Sequence, residues 1–217
     1  LLHYKISDMF DKFMAHPWHG ISPGKNIPEV ITTFIEMTPH DNVKYEIDKE
    51  SGFIKVDRPQ LYSNVVPALY GFIPQTYCGR HIAPYCMDMS ERTNIEGDGD
   101  PLDVCSMTER NIVHGNILIH AKPIGGFRMI DNNQADDKIV AIMLGDKVYG
   151  EWNDIFEMPE SLRERLLHYF LTYKQIPGRN EKAKVEITHV YGREEAHEVI
   201  KRSIMDYKEL IDLKKSF

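Results

Sequence analysis

Three aspartates fall within six positions in Asp98-Gly99-Asp100-Pro101-Leu102-Asp103-Val104, and any fold adopted by the chain must find something cationic to collect them. Two carboxylates ~4 Å apart repel by about 4 kcal/mol at an effective dielectric of about 20. A hard divalent ion shared by several aspartate oxygens removes that cost, so the segment reads first as a metal site. In extended chain Asp98 and Asp100 share a face while Asp103 has the opposite parity. Convergence therefore requires a bend, and Pro101 is its expected source. An EF-hand loop is disfavoured, because Pro101 stands fourth and Asp103 occupies the sixth position, where the turn glycine belongs.

A second cluster, Asp131, Asp136, Asp137 and Lys138, again mixes hard oxygen donors with a cation, around the turn-forming Asn132-Asn133-Gln134. Strand periodicity puts Lys44, Glu46 and Asp48 on one face of Lys44-Tyr45-Glu46-Ile47-Asp48. Arg58 ends the next strand-like run, where its planar fork can grip a phosphate. Tyr173-Lys174 closes a helical pattern. None of His16, His19, His114, His120 and His168 lies in a zinc-type pair. The three cysteines, Cys78, Cys86 and Cys105, form no Cys-x-x-Cys motif and are expected to be buried thiols. Nucleophile-elbow, Walker and dinucleotide-binding motifs are missing, and Gly125-Gly126 reads as a turn or bulge.

The 217 residues suit one core, and a single domain is expected. Residues 1–28 read as an arm with an amphipathic start (Met9, Phe10, Phe13, Met14). Strand-like runs follow at Ile31 to Thr38, Val43 to Asp48, Phe53 to Arg58, Ile117 to Lys122 and Ile139 to Leu144. Residues 71–96 are irregular, expected as a solvent-exposed excursion with a subunit contact as second choice. Helices are predicted over Pro159 to Lys174, before Pro177-Gly178, and over residues 193–214. Strands first and helices last indicate a β-rich α+β class, most economically a small closed barrel with flanking helices.

A formal net charge of −7 disfavours a nucleic-acid binder, whose affinity rests on Lys and Arg neutralising phosphates. No apolar run approaches the ~20 residues that span a bilayer, and the first thirty residues hold no signal-like block, so no membrane partner and a cytoplasmic location are expected. Two other readings stay open on the residues alone. One is a non-catalytic Ca²⁺ or Mg²⁺ module, which would leave Lys44, Arg58 and Lys174 without a purpose. The other is an OB-type oligonucleotide binder using some of the 22 aromatic residues.

The ordered motifs resemble those of the soluble family I inorganic pyrophosphatases. Asp98 to Val104 fits that family's signature at every position, and Val43 to Gly52 is very similar to its bacterial members. The likeness continues through Val56-Asp57-Arg58, Leu69-Tyr70-Gly71, Asp131 to Lys138 and His168 to Lys174. It implies an OB-like five-stranded closed β-barrel with flanking helices, and hydrolysis of pyrophosphate by a metal-activated water. Carried over by position, Asp98, Asp103 and Asp136 are the principal metal ligands, Asp131 joins at ions arriving with substrate, and Glu36 acts through water. Asp100 is the base for the attacking water. Lys44, Arg58, Lys138, Tyr173 and Lys174 bind phosphate, with Glu46 and Tyr70 supporting them. Several Mg²⁺ ions, or Mn²⁺ in their place, and a homo-oligomeric state are implied. Three departures stand out. Val66 replaces a usual tyrosine, whose hydroxyl is then either absent from the network or supplied elsewhere, with Tyr62 and Tyr77 as the candidates. Asn132 replaces a usual glutamate, removing a negative charge, and residues 71–96 exceed the compact bacterial length.

Overall fold

The computed structural model describes residues 15–174, 176 and 185–215. The amphipathic start at Met9 to Met14 and the Pro177-Gly178 stop lie outside them. In chain order the elements are β1 (Ile31–Met37), β2 (Val43–Ile47), β3 (Ile54–Pro59), β4 (Leu69–Phe72), α1 (Ile82–Ser90), β5 (Glu96–Gly97), β6 (Asp103–Met107), β7 (Ile117–Asp131), β8 (Gln134–Ala135), β9 (Lys138–Met143), a single 3₁₀ turn (Ile155–Glu157), α2 (Glu160–Thr172), β10 (Val185–Gly192) and α3 (Arg193–Lys215). The architecture is a sheet-rich α+β fold, as expected. The main sheet runs β1-β4-β6-β9-β7-β8-β5, with β10 on β7 and a further β1–β7 pairing, while β2 and β3 form a separate hairpin.

Alternation along the central strands explains why so much of the sheet is apolar. In β9, Ile139 and Ala141 pack with α1 and α3, while Val140 and Ile142 pack with α2. Both faces are covered, so every position of the strand but the last, Met143, is buried, and each large aliphatic side chain removed from water contributes roughly 1.5–3 kcal/mol. On α2 the buried residues Leu166, Tyr169 and Phe170 face Met37, Cys105, Phe127 and Val140. The i, i+3, i+4 spacing predicted that face. The three cysteines are free and buried.

Two expectations change and two others hold. Residues 71–96 are not a solvent-exposed excursion: Ile73, Cys78, Ile82, Cys86 and Ile95 are core residues, and α1 lies among them. Helix α1 escaped notice because its cap is remote. The Asp206 carboxylate of α3 accepts hydrogen bonds from the backbone N–H groups of Gly79 (2.9 Å), His81 (2.8 Å) and Ile82 (3.1 Å). Pro84 sits in the first turn of α1, where no intrahelical N–H bond is lost. The bend of the acidic segment lies at Gly99, at φ +76°, not at Pro101. Glycine adopts that left-handed conformation without a Cβ penalty. Gly125-Gly126 is a bulge inside β7, with the register against β9 shifting between Pro123 and Gly125. Finally, Asp103–Met107 is a strand, so no EF-hand loop exists here. Glu109, twelfth counting from Asp98, pairs with Arg110 instead.

Candidate active site

Two parallel pairings bring the acidic segments together. Strands β6 and β9 run side by side with Asp103 opposite Lys138, and the short β5 and β8 run side by side with Glu96 opposite Gln134. Asp98 to Asp103 and Asp136 to Lys138 are thereby laid next to each other although more than thirty residues separate them. The Asn132-Asn133 turn that permits this has both residues at positive φ, 49° and 65°, the geometry of a two-residue hairpin in which asparagine is favoured. Antiparallel β4 supplies Tyr70, whose hydroxyl donates to Asp103 Oδ2 at 2.6 Å. Glu36, on β1, accepts from the Ile47 N–H at 2.7 Å. The end of α2 covers the remaining side with Tyr169, Phe170, Tyr173 and Lys174.

These residues enclose a cavity of about 260 Å³ lined by seven carboxylates (Glu36, Glu46, Asp98, Asp100, Asp103, Asp131, Asp136) and four ammonium groups (Lys44, Lys49, Lys138, Lys174). Every site residue expected from the sequence lines it except Arg58, whose guanidinium turns back onto Asp57. Asp48, predicted to share the Lys44 face, caps the β2–β3 turn through the Ser51 N–H at 2.9 Å. Neither Tyr62 nor Tyr77 lines the cavity in place of the tyrosine missing at Val66, which is itself buried in the core.

The sequence reading missed Lys49, Gln134, Tyr169 and Phe170. Tyr169 stacks on Tyr173 at 5.2 Å and its hydroxyl accepts from Gln60 at 3.5 Å. Its position one helical turn before Tyr173 was the available signal. Lys49 pairs with Asp100 from the hairpin turn, and nothing local distinguishes it from any turn lysine. Asn132 donates from Nδ2 to Asp131 Oδ1 at 2.8 Å, so the residue that replaces a glutamate engages the neighbouring carboxylate.

The electrostatics are those of a site short of positive charge. Lys138 bridges Asp103 and Asp136, Lys174 pairs with Asp131, and Lys44 is held between Glu46 (2.9 Å) and Asp57 (3.1 Å). Burial pushes Glu36 up to about 8, against the Ile47 hydrogen bond. Burial and then the Asp136 charge push Asp98 up to about 8 as well, and burial raises Asp136. Burial alone would lower Lys138, but Asp103 and Asp136 carry it well above the ordinary lysine value. One lysine does not balance the surrounding carboxylates. The donor set fits a hard divalent cation in its chemistry: the lining is rich in anionic oxygens, no His or Cys among the described residues lines the cavity, and the two carboxylates held near 8 can ionise at neutral pH once a cation offsets their burial. Asp98, Asp103 and Asp136 are the residues that would hold it.

Comparison with known proteins gives one consistent result. The family model described as inorganic pyrophosphatase matches residues 33–208. A protein of Chlamydia trachomatis serovar L2 named inorganic pyrophosphatase is 50% identical over 197 residues, covering 89% of this chain and 94% of that one. The soluble inorganic pyrophosphatase 3 of Arabidopsis thaliana is 37% identical over 198 residues, covering 91% of this chain and 81% of that one. Among solved structures, the inorganic pyrophosphatase from Thermus thermophilus superposes with a TM-score of 0.73 at 27% identity, covering 89% of this chain and 99% of that one.

Proposed function

We propose that this chain, which belongs to the inorganic pyrophosphatase family, hydrolyses pyrophosphate to two phosphates in the cavity between β6, β9 and the end of α2, with Mg²⁺ as its divalent ion. The observation that carries the reading is the meeting of the two acidic segments with four lysines in one cavity. A carboxylate cluster alone would serve a metal-binding module. The lysines and tyrosines around it are what a polyanionic substrate requires.

When bound, the divalent ions lower the pKa of water and offset phosphate charge. The chain's own groups do the rest. Lys44, Lys138 and Lys174, with the Tyr173 hydroxyl, hold the terminal phosphate oxygens and so fix the phosphorus in line with the attacking water. Arg58 joins them by exchanging Asp57 for a phosphate oxygen, which its place opposite Lys44 across the β2–β3 ladder allows. Asp100, half-exposed at the rim, orients the attacking water and accepts its proton, while the bridging P–O bond breaks and the second phosphate departs. Tyr70 restrains Asp103, and Glu46 restrains Lys44. Charge spreads over the phosphoryl oxygens in such a transfer, so positioning and cations supply most of the catalysis.

The fold forms part of the same reading. Strand β1 pairs with both β4 and β7, which supports an OB-like closed arrangement of β1, β4, β6, β9 and β7. The decisive measurement is phosphate release from pyrophosphate with and without Mg²⁺. Release only with the ion is expected, and no release at any Mg²⁺ concentration would overturn the proposal.

A further inference from the structure

On the opposite face of the metal-binding segment lies a second charged cluster that the hydrolytic reading does not use. Arg128, in β7, is fully buried, and its guanidinium meets Asp137 Oδ2 at 2.8 Å and Glu195 Oε1, from α3, at 2.8 Å. Its guanidinium carbon lies 5.0 Å from the Tyr85 ring centre and 5.2 Å from that of Tyr191. The Tyr191 hydroxyl also donates to Asp137 Oδ2, at 3.1 Å.

We propose that the Arg128–Asp137 pair is a positioning device that aims Asp136 and Lys138 into the active-site cavity from behind. This inference rests on Asp136 being a metal ligand. Side chains alternate along extended chain, so Asp136 and Lys138 line the cavity while Asp137, between them, points into the core. Any rotation of the segment that moved Asp137 would move its two neighbours by a comparable amount. Two anchors oppose that rotation. The Asp136 N–H donates to the Met129 carbonyl at 3.0 Å, and one residue on, the Asp137 carboxylate is gripped by Arg128 and Tyr191.

A buried ion pair is a poor way to gain stability, because apolar groups of the same volume do as well or better. What the pair offers instead is direction. An apolar side chain can slide in its pocket, whereas a carboxylate that accepts a hydrogen bond from the Tyr191 hydroxyl and is drawn by the charge of the Arg128 guanidinium is held in one place. Through Glu195 and Tyr85 the same guanidinium ties the metal-binding face to α3 and α1.

The test is titration calorimetry of the substrate-free protein with Mn²⁺, for the parent and for Asp137→Asn, Tyr191→Phe and Asp146→Asn, alongside melting temperatures and kcat at saturating Mg²⁺. Asp146 anchors a loop outside the cavity through Thr108 and the Glu109, Val148 and Tyr149 N–H groups, so its variant controls for plain destabilisation. Loss of a group that orients a metal ligand weakens affinity by about 10–100-fold, so Asp137→Asn is expected to weaken Mn²⁺ binding at least tenfold. Tyr191→Phe should weaken it less, with kcat at saturating Mg²⁺ close to the parent's. Asp146→Asn should lower the melting temperature and leave Mn²⁺ affinity intact. Unchanged affinity in Tyr191→Phe and in a folded Asp137→Asn overturns the proposal, as does an equal loss in Asp146→Asn. If Asp137→Asn does not fold, Tyr191→Phe decides alone. Phosphate release by the parent tests the hydrolase reading separately, while the ratio of dissociation constants tests this one.

Discussion

The two faces of the segment from Asp136 to Lys138 solve the same electrostatic problem in opposite ways. On the cavity face, seven carboxylates stand against four ammonium groups, and burial holds Glu36 and Asp98 near 8. On the core face, Asp137 is met by a buried guanidinium and a tyrosine hydroxyl, and Glu195 completes the set. An uncompensated buried charge costs several kcal/mol, so a fold can keep carboxylates in surplus only where they hold protons or take up a cation from solution. Where none arrives, the chain must supply its own, as it does with Arg128.

Substitutions that touch one face at a time test that contrast. Asp100→Asn keeps the shape of the cavity but removes the carboxylate proposed as the proton acceptor. Turnover should fall by about 10²–10⁴-fold with the circular dichroism spectrum unchanged, as expected for loss of a general base. On the core face, Arg128→Met alone should cost about 3–5 kcal/mol in urea denaturation, because Asp137 is left as a lone buried charge. Replacing both partners, Arg128→Met with Asp137→Leu, should recover most of that stability. If the double variant is no more stable than the single one, the pair is not the self-contained unit described.

A smaller effect is expected from pH, and it isolates the cavity face. With chelator present, the folded protein retains protons on Glu36 and Asp98 up to about 8, whereas the unfolded chain has released them in the ordinary carboxylate range. The folded state therefore binds more protons across that window, and stability falls as pH rises through it. The melting temperature should drop between pH 5 and pH 8 in chelator and flatten when Mg²⁺ is added. Equal slopes with and without the ion would contradict the cation-deficient cavity. Least of all should Lys49→Ala matter to stability: its bridge to Asp100 is solvent-exposed, and such pairs contribute about 0–1 kcal/mol. Any measurable change should appear in KM for pyrophosphate.

The strands and the C-terminal helices were legible because their signals are local. The strand-like runs of β1, β2 and β3 and the apolar stripes of α2 and α3 each lie within one window of sequence. Helix α1 was not legible, since the carboxylate that caps it belongs to Asp206, more than a hundred residues away. The bend at Gly99 was assigned to Pro101 because proline advertises a turn, while the left-handed conformation taken by the glycine does not show in its neighbours. Lys49 was passed over for a similar reason: its partner Asp100 comes from another part of the chain.

What can be read from residue order is chemical inventory: two groups of aspartates, ordered lysines, and a motif succession matching one family. Carboxylates this close must either bind a cation or hold protons, and that follows from Coulomb's law without coordinates. Which aspartate does which task depends on long-range pairing. The β6–β9 register sets Asp103 beside Lys138, and strand alternation sends Asp136 into the cavity and Asp137 to Arg128. Asp136 and Asp137 are neighbours of identical chemistry, and only the packing around them makes one a cavity carboxylate and the other a structural counter-ion.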